Sequence, residues 1–211
     1  MLDFLTTGHF AAMLVGAKTT LWLAVASATL GLILGMVFAL FELSRFTPLR
    51  WGTSLFVSTI RSLPELILIF LIGIGIHYLF IMYEEAWLPF KLNLLWNSWF
   101  GHDFEFSFFW LGVIALGVIY AAYASQTLRG ALLAVPQPQW QSGAVLGLKK
   151  PTIFFYVILP QMWRHAFPGL GNQWLVLLKD TALVSLIAIE EVMQKTDYAF
   201  TSTGNGFTWY G

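Results

Sequence analysis

The sequence predicts an all-α fold, a polytopic transmembrane helical bundle with four complete spans. Composition points there first: over 211 residues, 58% are hydrophobic and only 10% are charged, too apolar for an ordinary soluble domain. The placement of charge points the same way, because long uncharged runs alternate with short segments whose sign changes from one to the next.

Nothing charged lies between Lys18 and Glu42, so residues 19–41 can cross a bilayer, for which about 20 apolar residues are enough. Ala26-Ser27-Ala28 has the form of a signal-peptide cleavage site, but Asp3 precedes the run and Gly31, Leu34 and Phe38 continue it, so the span is retained. Gly31 and Gly35 make a Gly-x-x-x-Gly step that lets another helix approach closely. A second uncharged run covers 66–83 and is extended inward by 51–60; a third covers 106–128. The fourth, 165–190, is interrupted by Lys179 and Asp180. The expected spans are about 12–41, 53–83, 106–128 and 162–189, in one membrane domain.

Cytoplasmic loops collect Lys and Arg. Arg45, Arg50 and Arg61 follow span one, and Arg129, Lys149, Lys150 and Arg164 lie between spans three and four, with no acidic residue from 106 to 178. Both loops are therefore cytoplasmic. The connection between spans two and three carries Glu84, Glu85, Asp103 and Glu105 with Trp87, Trp96 and Trp99, and faces outward, as does the acidic stretch with Glu190, Glu191 and Asp197. The N-terminus is outside.

The cytoplasmic segment 129–161 is too long for a simple connection between neighbouring helices. After Pro136 and Pro138, the residues Trp140, Ala144, Val145 and Leu148 recur at helical spacing, with Gln139, Gln141 and Ser142 opposite them. A short amphipathic helix is expected, stopped near Gly147, and Pro151 opens a second one that runs through Phe154 and Tyr156 toward Pro160. Its apolar face has two destinations, the chain's own bundle or a groove on another protein.

Several chemistries are excluded. The chain has no cysteine and no Walker-type Gly-x-x-x-x-Gly-Lys-Ser/Thr loop. His9, His77, His102 and His165 lack the i, i+4 spacing of helical metal sites, so no metal and no cofactor are expected. Adjacent acids such as Glu84 with Glu85 point about 100° apart on a helix and share no catalytic site. Eleven basic against eleven acidic residues create no field for nucleic acid.

Lys179 and Asp180 interrupt the fourth span and are functional candidates by default, since an ionisable group inside a bilayer must face protein or water. Against this, Lys179 lies about 27 Å up a helix that starts near Gln161, where it can snorkel to the interface. Glu65 either neutralises Arg61 one turn away or serves a pathway at the helix disturbed by Pro64. Gln126 either lines a cavity or bonds a neighbouring helix.

Gly147, nine residues, Val157, one residue, then Leu159-Pro160 is similar to the loop signature of ABC-importer permeases, in which Glu-Ala-Ala stands where this chain has Gln141, Ser142 and Gly143. The stretch Ala122-Tyr123-Ala124-Ser125-Gln126-Thr127-Leu128-Arg129-Gly130, followed by Ala134-Val135-Pro136, resembles the third helix of polar-amino-acid permeases, where position 126 is commonly Glu. Arg61-Ser62-Leu63-Pro64-Glu65 looks like the family's Arg-Gly-Thr-Pro element, and 120–132 and 160–186 look closest to its arginine-transport members.

That resemblance implies a type I ABC importer permease of the inner membrane, carrying a polar and basic amino acid such as arginine. It implies two ATPase copies that use the ATP, a second permease copy or a related permease, and an extracellular amino-acid binding protein. Trp140, Gln141, Ser142, Gly143, Ala144, Gly147, Leu159 and Pro160 would couple to the ATPase; Lys179, Asp180, Glu65 and Gln126 would line the substrate path. It also implies a fifth span, which would begin about where this chain ends at Phe207 to Gly211, so a truncated fifth span is expected, with a natural four-span protein as the alternative. Two other readings are a stand-alone secondary transporter or channel, which predicts repeats or a buried chain of acids that the sequence lacks, and a membrane assembly subunit that carries nothing.

Overall fold

The computed structural model describes residues 9–83, 108–187, 189, 192–204 and 209. The loop with Trp87, Trp96 and Trp99, together with Glu190, Glu191 and the last two residues, lies outside them. Every regular element among the described residues is helical. The long ones are α1 (His9–Glu42), α2 (Thr47–Ser62), α3 (Glu65–Tyr83) and α4 (Phe108–Ala134). They are followed by α5 (Gln137–Val145), α6 (Lys150–Ile153), a π turn (Phe154–Ile158), α7 (Leu159–Asp180), a 3-10 turn (Thr181–Ile187) and α8 (Val192–Thr203).

Proline sets many of the boundaries. α2, α5 and α6 start without a side-chain cap, each with a proline in its first positions: Pro48, Pro138 and Pro151. A first-turn N–H has no intrahelical partner, so a residue that lacks one is tolerated there. Between α2 and α3, Leu63 is extended at φ −98° and ψ 146°, because Pro64 bars the residue before it from the helical region. Further on, Pro160 cannot donate to the Tyr156 carbonyl and its ring crowds that group. The helix widens into the π turn just ahead of it, and 150–180 runs on as one continuous helical segment.

By length and composition, 11–42 and 109–134 can each cross a membrane alone, and α2 with α3 qualifies as a broken pair. α7 does not belong to that set; it carries Arg164, Asn172, Gln173 and Lys179 among its apolar residues.

The chain forms two compact units. One takes its described residues from 1–27, 64–116 and 178–211; the other comprises 28–63 and 117–177. In the second unit, α1 meets α4 through small residues. A Cβ on Gly31 would come within 2.5 Å of the Tyr120 ring and 2.9 Å of the Gly117 carbonyl oxygen, and one on Gly35 within 3.1 Å of the Ala121 oxygen. Ala121, Ala124 and Ser125, which the Gly35 position approaches, are fully buried along the same seam. Between helices in lipid, close van der Waals contact of this kind replaces the hydrophobic drive that water supplies elsewhere.

In the first unit, Thr20 Oγ1 accepts the Val192 N–H at 3.2 Å, and Gly16 leaves room for the Val192 backbone. α8 is thereby held at its first residue to α1, while α3 packs on the 3-10 turn.

Gly31→Ala is expected to destabilise the protein by about 1–3 kcal/mol through overpacking. Gly52→Ala, where the added methyl meets open space, is expected to be neutral or stabilising by up to about 1 kcal/mol. Thermal unfolding midpoints of the two variants in detergent compare them.

Candidate functional site

The segment 137–160 is built around one glycine in the left-handed region. Gly147 has φ +74°, and its N–H donates to the Ala144 carbonyl at 3.0 Å while the Leu148 N–H donates to the Gly143 carbonyl at 3.1 Å. This pair of bonds is the Schellman ending, which closes the last carbonyls of α5 and needs a residue that tolerates positive φ. A side chain at 147 would meet no neighbour, so the demand for glycine is conformational rather than steric.

The turn folds α5 back on the start of the next helix. Gly143 is buried against Ile153, with a virtual Cβ 2.8 Å from Ile153 Cγ1, and Trp140 lies with its ring centroid 6.4 Å from that of Phe154. Of the apolar face read from the sequence, only Trp140 turns inward. Ala144, Val145 and Leu148 are exposed, and so is Leu146, with Val145 at 87% and Leu146 at 77%. The helix is anchored by its glycine side and leaves its branched apolar residues bare. Gln141 and Ser142 are exposed, Leu159 is half-buried and Pro160 is exposed at the end of the π turn.

The charged candidates gather differently. Glu65 opens α3 in its first turn, where the helix dipole favours an acid. Asp180 closes α7 at the change from α to 3-10 geometry, half-buried, and Glu65 is the charge whose field reaches it. Both belong to the first unit, as does Lys179, exposed in the last turn of α7. The regular helix that an i, i+4 pair of Arg61 with Glu65 requires is interrupted at Leu63 and Pro64. The Arg61 guanidinium instead lies 5.5 Å from the centroid of the Tyr123 ring, a cation–π distance.

Gln126 belongs to the second unit, where its Nε2 donates to Glu42 Oε2 at 2.8 Å. Glu42 is a residue that sequence reasoning passed over: an acid at the start of a basic loop carries no signal of burial, yet its side chain is 3% exposed. Gln173 is another. Its Nε2 donates to Thr127 Oγ1 at 2.7 Å and to the Tyr123 carbonyl at 3.2 Å, beside Gly169, which packs on Thr127. No group of His, Asp or Glu able to hold a metal occurs among the described residues.

Residues 31–208 match the family model of the binding-protein-dependent transport system inner membrane component. The chain belongs to that family. It is 46% identical over 202 residues to the arginine ABC transporter permease protein ArtQ of Escherichia coli, covering 92% of this chain and 82% of that one. It is 34% identical over 200 residues to the histidine/lysine/arginine/ornithine transport system permease protein HisQ of Escherichia coli, covering 95% and 82%. The crystal structure of an amino acid ABC transporter with histidines superposes with a TM-score of 0.72 at 27% identity, covering all of this chain and 88% of that one. As a member of this family the chain is an inner membrane transport permease subunit.

Gly143→Ala is expected to cost about 1–3 kcal/mol by crowding Ile153. Combined with Ile153→Ala, it is expected to cost less than the sum of the two single changes by about 1 kcal/mol, since the truncated side chain makes the room. A double-mutant cycle on thermal unfolding reads this coupling.

Proposed function

We propose that the chain imports basic amino acids, arginine among them, as the membrane-spanning subunit of an ATP-driven complex, with its N-terminus outside. The observation that carries this reading is the bare apolar knuckle of Ala144, Val145, Leu146 and Leu148 at the Gly147 turn. An exposed run of large apolar side chains, held rigidly by a buried anchor, is a surface made to be covered by a partner. The ATPase is that partner: Gln141, Ser142, Gly143 and Ala144 present it with α5, Trp140 ties α5 to Phe154 of the π turn, and Leu159 and Pro160 open the helix that runs on from there to Asp180. Two ATPase copies and a second permease complete the complex, and a binding protein delivers substrate on the outer side.

Substrate class follows from the acids. Glu65 and Asp180 are carboxylates that act on each other at the break before α3 and at the end of α7. Carboxylates in a membrane segment suit a cationic ligand, and a guanidinium or ammonium side chain supplies one. Lys179 meets the substrate carboxylate. Gln126, bonded to Glu42, serves the α1–α4 contact rather than the substrate. The relatives named for arginine and for histidine, lysine, arginine and ornithine support the same class.

Reconstitution with the ATPase and the binding protein tests this reading. Uptake of labelled arginine is expected to require ATP and to fall about tenfold or more in Glu65→Gln and in Asp180→Asn, with the ATPase still co-purifying, as for loss of one member of a desolvated charge contact. Gly147→Val is expected to lose the ATPase itself, because a β-branched side chain at positive φ costs about 1–2 kcal/mol and displaces the knuckle. Uptake that ignores ATP would favour a secondary transporter, and uptake that ignores both acid substitutions would remove them from the path.

A further inference from the structure

α1 ends on a carboxylate that its own helix does not favour. Glu42 is the last residue of α1, where the carbonyl end of the helix dipole repels negative charge, and its side chain is almost fully buried. A charge taken out of water in such a place destabilises the fold unless another element supplies donors. α4 supplies them. Gln126 Nε2 donates to Glu42 Oε2 at 2.8 Å, and Arg129 Nε, one turn further along, stands 4.0 Å from the same oxygen. That second distance suits an ion pair and is too long for a hydrogen bond. The Arg129 Nε is itself buried without an acceptor among the described residues, although the side chain as a whole is 42% exposed. Arg129 is drawn toward Glu42 by charge and left half-engaged.

This bridge lies beside the coupling segment. Leu40 and Leu43, which flank Glu42, and Leu132 and Val135, beyond Arg129, line a cavity of about 510 Å³ whose opposite wall includes Trp140 of α5 and Phe154 of the π turn. Space of that size under α5 is compliant. A push on α5 is lost in it unless the helix ends behind the cavity move as one body. The hydrogen bond from Gln126 to Glu42 is a polar link joining those two ends.

We propose that Glu42 is a positioning residue for energy coupling: through Gln126 and Arg129 it fixes the end of α1 to α4, so that displacement of α5 is passed to both helices. The proposal rests on the reading of 137–160 as the ATPase-coupling segment.

The test uses the permease in its complete complex with ATPase and binding protein in proteoliposomes, and reads arginine taken up per ATP hydrolysed. Glu42→Gln is expected to lower that ratio about tenfold or more, with the ATPase still co-purifying and still hydrolysing ATP. The exchange of Glu42→Gln together with Gln126→Glu rebuilds an amide-to-carboxylate bridge with the charge moved to α4, and is expected to return the ratio to within about twofold of the unsubstituted protein. An unchanged ratio in Glu42→Gln overturns the proposal. So does an exchange variant that hydrolyses ATP and stays uncoupled, or one that fails to assemble, which would leave Glu42 a purely structural role. Should Glu42→Gln alone fail to assemble, the exchange variant decides. Absence of ATP-dependent uptake in the unsubstituted complex would instead overturn the importer reading beneath the proposal.

Discussion

A hydrocarbon environment offers the backbone no hydrogen bonds, and much of this structure follows from how the chain meets that constraint. Where the helices are regular, each carbonyl is answered four residues later. Where they are not, a nearby side chain often steps in. Thr181 Oγ1 donates to the Leu178 carbonyl and Ser185 Oγ to that of Ala182, both at 2.7 Å, through the change from α7 to 3-10 geometry. Gln161 Nε2 donates to the Val157 carbonyl at 2.9 Å in the turn around Pro160. Ser62 Oγ donates to the Ser58 carbonyl at 2.7 Å just ahead of the Leu63–Pro64 break. Hydroxyls and amides at these points let the helices bend or change pitch without leaving the backbone bare, and bent or broken helices are where transporters hold polar substrates.

Charge obeys the same constraint and so marks function. Three of the charged residues within the helices stand in distinct settings. Arg61 lies over an aromatic ring, Glu42 is buried against an amide and a guanidinium, and Asp180 feels Glu65. The first two are arrangements within one compact unit that hold helices together. The third brings two acids of the other unit into each other's field, an arrangement that packing alone does not require.

Much of this was legible from residue order. The uncharged run 19–41 announced α1, Pro64 announced the break after α2, and Gly147 announced the stop of α5. Those signals are local: an absence of charge, a missing N–H, a residue free to take positive φ. What the sequence hid were relations across long separations. Glu42 and Gln126 are 84 positions apart, and Gln173 and Thr127 are 46 apart; nothing in either neighbourhood names the other. The direction of α5 was also hidden, because helical spacing groups Trp140 with Val145 and Leu148 but cannot say that Gly143, the smallest residue of the helix, is the one that packs. Proximity of a backbone to Ile153, and not hydrophobicity, decides which side of that helix is anchored.

The central claim is that energy enters the chain through an apolar surface it leaves bare itself. The chain contains no cysteine, so Val145→Cys introduces a single thiol on the knuckle, and Tyr198→Cys introduces one on the exposed side of α8. Thiol-specific cross-linking in membranes that hold the whole complex is the direct measurement. The account predicts that the thiol at 145 joins the permease to the ATPase subunit, with a yield that changes when ATP is bound, and that the thiol at 198 does not. Cross-linking of 198 but not 145 to the ATPase, or of neither, would contradict it.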